Sequence, residues 1–174
     1  TPAGQTKHGF QIWVNVPQCR KKDDPKYGTE NSASIPYLAL SEHAKVRVLA
    51  GPVLDTQGTS RVGPFQTAQP VQICDFELGP GASCTHTVPA EMRSVLAYVY
   101  RGKGTVAGQQ VAEKEVVKLA HGAEAGAHSQ LTASSADGQL TLTASAEGPM
   151  HVLFFAGKPI GEPIAWHGPF VLNS

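Results

Sequence analysis

Cysteine is scarce in this chain: Cys19, Cys74 and Cys84 are the only three in 174 residues. An odd, widely spaced set excludes a disulfide framework. It reads as reduced thiols in an intracellular protein, of cytoplasm or nucleus, with a Cys74–Cys84 bridge as the minor alternative. Nowhere do the ~20 consecutive apolar residues of a membrane-spanning helix occur, so no membrane role is expected. No charged-then-apolar leader opens the chain, and it begins at Thr1 without Met, which leads us to expect a cut or processed N-terminus. Neither sign of charge is in excess, with Lys and Arg totalling 14 and Asp and Glu also 14. A balanced chain lacks the electrostatic footprint of a nucleic-acid or anionic-membrane binder, so a role near DNA has to run through a protein partner.

Glycine and proline are plentiful, at 18 and 13. They punctuate short apolar runs that alternate with period two, the pattern of strands and turns. Phe10, Ile12, Val14 and Val16 share one phase, which predicts a half-buried strand closed by Pro17. Residues 18–43 turn polar and read as a linker, with the run Arg20 to Asp24 a solvated face. Strands are then expected at Val46–Ala50, stopped by Gly51-Pro52, and at Val71–Leu78, with a bulge near Ile73 or Cys74 because the apolar phase switches there. Val95–Tyr100 is almost wholly apolar and predicts a strand covered on both sides.

Val111–Ala120 fits a short helix by spacing, but it lies among strands and is read as one. Leu131–Ala144 reads as a hairpin turning at Asp137-Gly138. Met150–Ala156 is the last clear strand. The tail from Gly157 to Asn173 threads three prolines among apolar residues; it can be neither a helix nor a central strand, and an extended path over the body is expected. At about 70% burial of its unfolded surface, a chain of this length supports one good core. At least eight short strands predict an all-β antiparallel barrel or jelly roll. Tyr98, Tyr100, Phe154 and Phe155 are the aromatics that could line a small apolar pocket, although core packing is the plainer role for them.

Gly79-Pro80-Gly81-Ala82 feeding a strand to His86, then Val95 to Gly102, resembles a cupin. The opening His8-Gly9-Phe10-Gln11-Ile12-Trp13-Val14-Asn15, the Lys22-to-Tyr27 stretch containing Pro-x-Tyr, and the tail Glu162 to Asn173 together resemble the pirin family of two-barrel cupins. That resemblance implies a layout: residues 1–17 as the closing strand of a missing N-terminal cupin, 18–43 as the linker, and 44–174 as the C-terminal cupin. Phe10–Val16 would then pair with the missing piece, another chain or its own body.

The resemblance also implies where the metal belongs. Cupins bind divalent iron, copper or nickel through three or four converging His and carboxylate donors. Here His86 stands alone, with Cys84 two before it and Val88 two after. Glu91 is at a workable spacing, and no second-motif His is evident up to Ala127; His121 and His128 fall in a Gly/Ala-rich loop. His86 and Glu91 are therefore the only, weak, metal candidates, and a surface or packing role is the expected one for His86. His151 is expected in a strand, and His167 to hold the tail through a backbone bond.

No catalytic, cofactor or metal site is expected in this chain, and iron or another divalent transition metal is expected in the missing half. The implied function is a non-catalytic scaffold or interaction module, partnered by the N-terminal cupin or another protein, within an iron-binding protein linked to transcription. The alternative is part of a metal-dependent quercetin 2,3-dioxygenase, with a flavonoid ligand in the intact protein and this chain inactive by itself.

Overall fold

The computed structural model describes residues 8–121, 129–134 and 137–173, with the backbone alone for 121 and 129–134. Strands dominate, joined by tight turns, as the alternation requires. The first sheet begins with β1 (Tyr37–Ser41), β2 (Ala44–Leu54), β3 (Ser60–Pro64) and β4 (Val71–Leu78). Next come β5 (Ser83–Val88), β6 (Ser94–Arg101), β7 (Gly104–Val106), β8 (Gln109–Val111) and β9 (Val116–His121). Then follow β10 (Ser129–Ser134), β11 (Asp137–Ala144) and β12 (Met150–Gly157), and a tail ribbon of β13 (Ala165–His167) and β14 (Phe170–Leu172).

The ladder order β1-β2-β4-β12-β6-β9-β10-β11-β7-β8, with β3 on β2 and β5 on β11, rolls into a cupin-type barrel of two layers. β10 bridges the layers, running parallel to β9 at one end and antiparallel to β11 at the other. On the opposite side β1 and β2 face β5 with no ladder between them, which leaves a seam.

Inward phases fill the space between layers. Val46 and Val48 of β2, Phe76 and Leu78 of β4, and Phe154 of β12 meet Val88 of β5 and Leu140 and Leu142 of β11, all essentially inaccessible. A smaller cluster on the outer face joins Ala50, Val71 and Ile73 to Leu49 and Phe155. That cluster explains the phase switch in β4. Val71 and Ile73 point outward into it while Gln72 points inward. The bulge lies in the facing strand β2, between Val48 and Ala50, opposite Cys74 and Ile73.

Several expectations are corrected. Gly51-Pro52 does not stop a strand: β2 runs on to Leu54, and Pro52 pairs with Val62 of β3. Proline is tolerated there because Pro52 lies beyond the end of the β4 ladder at Ala50 and faces only the peripheral strand β3. Gly51 adopts φ +76, and a Cβ on it would lie 1.8 Å from the Val71 carbonyl oxygen. Gly51→Ala is therefore expected to destabilise the barrel by about 2 kcal/mol, from left-handed strain plus forced separation of β2 and β4; urea denaturation checks it. β1 starts within the stretch read as linker, because Leu38 and Leu40 pack partly against the core.

The run 111–120 is broken. β8 ends at Val111, and Lys114 turns the chain at φ 72, donating its N–H to Val99. The Glu115 carboxylate accepts the Ala112 N–H at 2.8 Å, which favours the turn over the helix that the spacing also allowed. Asp137-Gly138 is not the hairpin turn: both lie in β11, where Ser134 partners Asp137 and the Asp137 carboxylate accepts the Ala90 N–H at 3.0 Å.

The strand expected at Phe10–Val16 does not form. Residues 8–17 make no ladder and run as an extended strap across the outer face of β6 and β12. A single 3₁₀ turn, Gln18–Arg20, follows. The strap and tail are clasped together. Lys21 donates to Asn15 Oδ1 at 2.9 Å and to the Val171 carbonyl at 3.1 Å. Glu162 accepts from the Gln18 N–H at 2.8 Å and from the Asn173 amide. The rest of the basic run is solvated as expected, with Arg20 paired to Asp23, whereas Lys21 is drawn into the clasp. Among the described residues no helix is long and apolar enough to cross a membrane.

Candidate functional site

Alternation along β5 sends Cys84, His86 and Val88 into the barrel. His86 is 5% exposed, with its ring edge-to-face against Phe76 and Phe154 at centroid distances of 5.4 and 5.1 Å. Its Nε2 lies 3.1 Å from Gln72 Oε1, and Gln72 Nε2 donates to the Pro52 carbonyl at 2.6 Å. Burial pushes the imidazole down to about 4, so it is neutral near pH 7. Burial also raises the Cys84 thiol to about 12 and the Cys74 thiol further. All three cysteines are free, Cys74 and Cys84 in the interior and Cys19 exposed. Inert thiols are the consequence for the buried pair.

Glu91 is exposed in the turn after β5. His86 points inward, so the structure does not bring the two weak metal candidates together. No group of three His, Cys, Asp or Glu side chains able to hold a metal occurs among the described residues. The donors present do not fit the transition metal that a cupin implies. His121 ends strand β9 instead of lying in a loop, and His128 lies outside the described residues. His167 is exposed at the end of β13, where its backbone partners Phe170.

The outer face carries a polar network that the sequence reading missed. Tyr100 donates to Asp75 Oδ1 at 2.8 Å, and His151 Nδ1 lies 3.2 Å from the same phenol oxygen. Beside them Glu77 accepts from Tyr37 at 2.7 Å and from Arg47 at 3.1 Å. Burial raises the Asp75 carboxyl, opposed by the Tyr100 hydrogen bond; burial and that same bond raise Tyr100. Three separate strands supply Asp75, Tyr100 and His151, so only register brings them together. Tyr100→Phe removes the donor to Asp75. It is expected to cost about 1 kcal/mol at neutral pH, since water reaches the half-buried carboxylate, and to move its titration upward, as carboxyl NMR reads.

Next to the network lies a groove of about 840 Å³ between the strap and the outer sheet face. Phe10, Trp13 and Val14 form one wall, and Ile73, Leu96 and Phe155 belong to the other. Phe10 packs edge-on against Tyr98 and Tyr100, at 6.0 and 5.2 Å. Tyr98, Tyr100, Phe154 and Phe155 therefore do not line one pocket: Phe154 faces the core and the others face outward. β6 is fully buried on its inner side only; the strap covers its outer side in part, at Tyr98 and Tyr100, and leaves Leu96 42% exposed.

A sequence profile described as the pirin C-terminal cupin domain matches residues 73–174. Pirin-1 of Arabidopsis thaliana is 32% identical over 99% of this chain and 54% of its own length. A pirin-like protein of Caulobacter vibrioides is 32% identical over 95% and 52%, respectively. Among solved structures, a quercetin 2,3-dioxygenase from Acinetobacter baumannii superposes with a TM-score of 0.74 at 30% identity, covering 93% of this chain and 49% of that one. The chain spans about half the length of the curated relatives it matches.

Proposed function

Because the chain belongs to the pirin family, we propose that its barrel is the non-catalytic half of a two-barrel protein, whose outer face docks a metal-bearing companion cupin. The observation that carries this reading is the apolar strip along the strap, groove and tail ribbon. Trp13 is 59% exposed, and Trp166 and Phe170 are 69% and 64% exposed. Large apolar side chains left in water mark a protein-binding surface. The strap supports the same reading: it is extended and apolar yet pairs with no strand among the described residues, so its backbone is free to complete another sheet.

Mixing this chain with the N-terminal cupin of a pirin and following sedimentation tests the proposal. Assembly is expected, and Leu96→Glu is expected to abolish it; the absence of assembly, or assembly indifferent to that charge, refutes the docking. For the whole protein the supported activity is that of a quercetin 2,3-dioxygenase, the name borne by the Acinetobacter relative. Oxygen uptake with quercetin is expected from the metal-loaded two-barrel protein and not from this chain alone. No turnover in the joined protein leaves the second reading, an iron-bound coregulator of transcription. The balanced charge supports that reading only through protein partners.

A further inference from the structure

The seam between β1 and β5 contains a cavity of about 230 Å³, lined by Leu40, Leu54, Asp55, Thr85, His86 and Thr87. It is separate from the outer groove and plays no part in the docking proposed above. The hydrogen bonds behind it fix the state of the imidazole. The Pro52 carbonyl can only accept, so the Gln72 amide nitrogen faces it and the Gln72 oxygen faces His86. That oxygen in turn requires a proton on His86 Nε2. The neutral ring therefore leaves Nδ1 unprotonated, with a free lone pair. Among the described residues nothing donates to Nδ1. His86, the residue that carries this lone pair, lines the cavity.

We propose that this cavity is a binding site for a small neutral phenol, whose hydroxyl donates to His86 Nδ1 while its ring rests against Leu40 and Leu54. Size, charge and donor type each argue for that class. A cavity of about 150 Å³ accommodates benzene, so 230 Å³ gives room for one substituted ring. An anion finds no counter-charge. The imidazole stays neutral in its apolar surroundings, and the Asp55 carboxylate repels it. That carboxylate is already held by the Gln57 and Thr59 N–H groups, at 2.9 and 2.8 Å, and by Arg61 at 3.5 Å. A ligand with no hydroxyl leaves the lone pair unsatisfied, and a buried acceptor without a donor is costly.

The test uses the full chain, ¹⁵N-labelled at histidine, titrated in turn with phenol, toluene and benzoate. The free protein is expected to show a protonated Nε2 and an unprotonated Nδ1 on His86. Phenol is expected to shift the Nδ1 resonance and to bind about tenfold tighter than toluene, its closest shape without the hydroxyl. Leu54→Trp, at an exposed strand end on the cavity rim, is expected to abolish phenol binding and leave the tautomer signature intact. The proposal falls if Nδ1 carries the proton, if phenol leaves the His86 signals unmoved, or if toluene or benzoate binds as well as phenol.

Discussion

Phe154→Ala is expected to remove about 4 kcal/mol of folding free energy, a large share of the ~5–15 kcal/mol that holds a typical domain together. The side chain is fully inaccessible at the centre of β12, a strand laddered on both sides, to β4 at Cys74 and to β6 at Ala97. Its ring is held edge-to-face by Phe76 at 6.1 Å and His86 at 5.1 Å, and these three rings span the two layers. Truncation removes apolar burial and opens a cavity that two sheets locked by ladders cannot collapse to fill. The next residue provides the control. Phe155 points to the outer face, packs on Val71 and Ile73, and keeps partial access to water. Phe155→Ala is expected to cost about 1–2 kcal/mol, because part of that surface is already wet. Denaturant midpoints at constant m-value measure both. Equal losses at the two positions would contradict the assignment of inner and outer faces.

How much of this was legible in the residues varies with whether the deciding interaction is local. The all-β architecture was legible, since the short apolar runs 71–78, 95–100 and 150–156 survive directly as β4, β6 and β12. The end motifs around His8–Asn15 and Glu162–Asn173 carried the family. The errors cluster where a distant partner decides. Phe10–Val16 has strand periodicity, but its backbone finds no neighbouring strand among the described residues. Gly51-Pro52 looks like a stop, yet β3 arrives to pair across it. Asp137-Gly138 has turn chemistry, yet Ala90, from another loop, captures the carboxylate. The interior site was half visible. His86 falls in the inward phase of β5 on sequence alone, whereas Gln72 was overlooked because it sits among apolar residues whose phase switches around it. Only the β2 bulge shows which of Val71, Gln72 and Ile73 faces the core. The Asp75–Tyr100–His151 network could not be read at all, since it depends on the register of three strands.

Acid is expected to weaken this barrel through His86, by about 3 kcal/mol in total. In the unfolded chain the ring takes up a proton near its ordinary 6.5; in the folded protein burial delays protonation to about 4. Above pH 6.5 both states hold a neutral ring, and the full stability is present. Between 6.5 and 4 only the unfolded chain is protonated, so stability falls by roughly 1.4 kcal/mol per pH unit. Below about 4 the folded ring also titrates, its bond to Gln72 Oε1 notwithstanding, and the loss levels off. Asp75 works in the opposite sense. Burial raises its carboxyl, so protonation of the folded protein comes earlier and adds stability as pH falls. The contribution of His86 is therefore read as a difference. The unfolding free energy of the native chain, minus that of His86→Gln, should fall smoothly as pH drops from 6.5 and level off near pH 4, with other carboxylates cancelling. Glutamine retains a polar group opposite Gln72 without a titratable proton, which separates the charge effect from loss of the hydrogen bond. A flat difference across this window would mean that water reaches the imidazole.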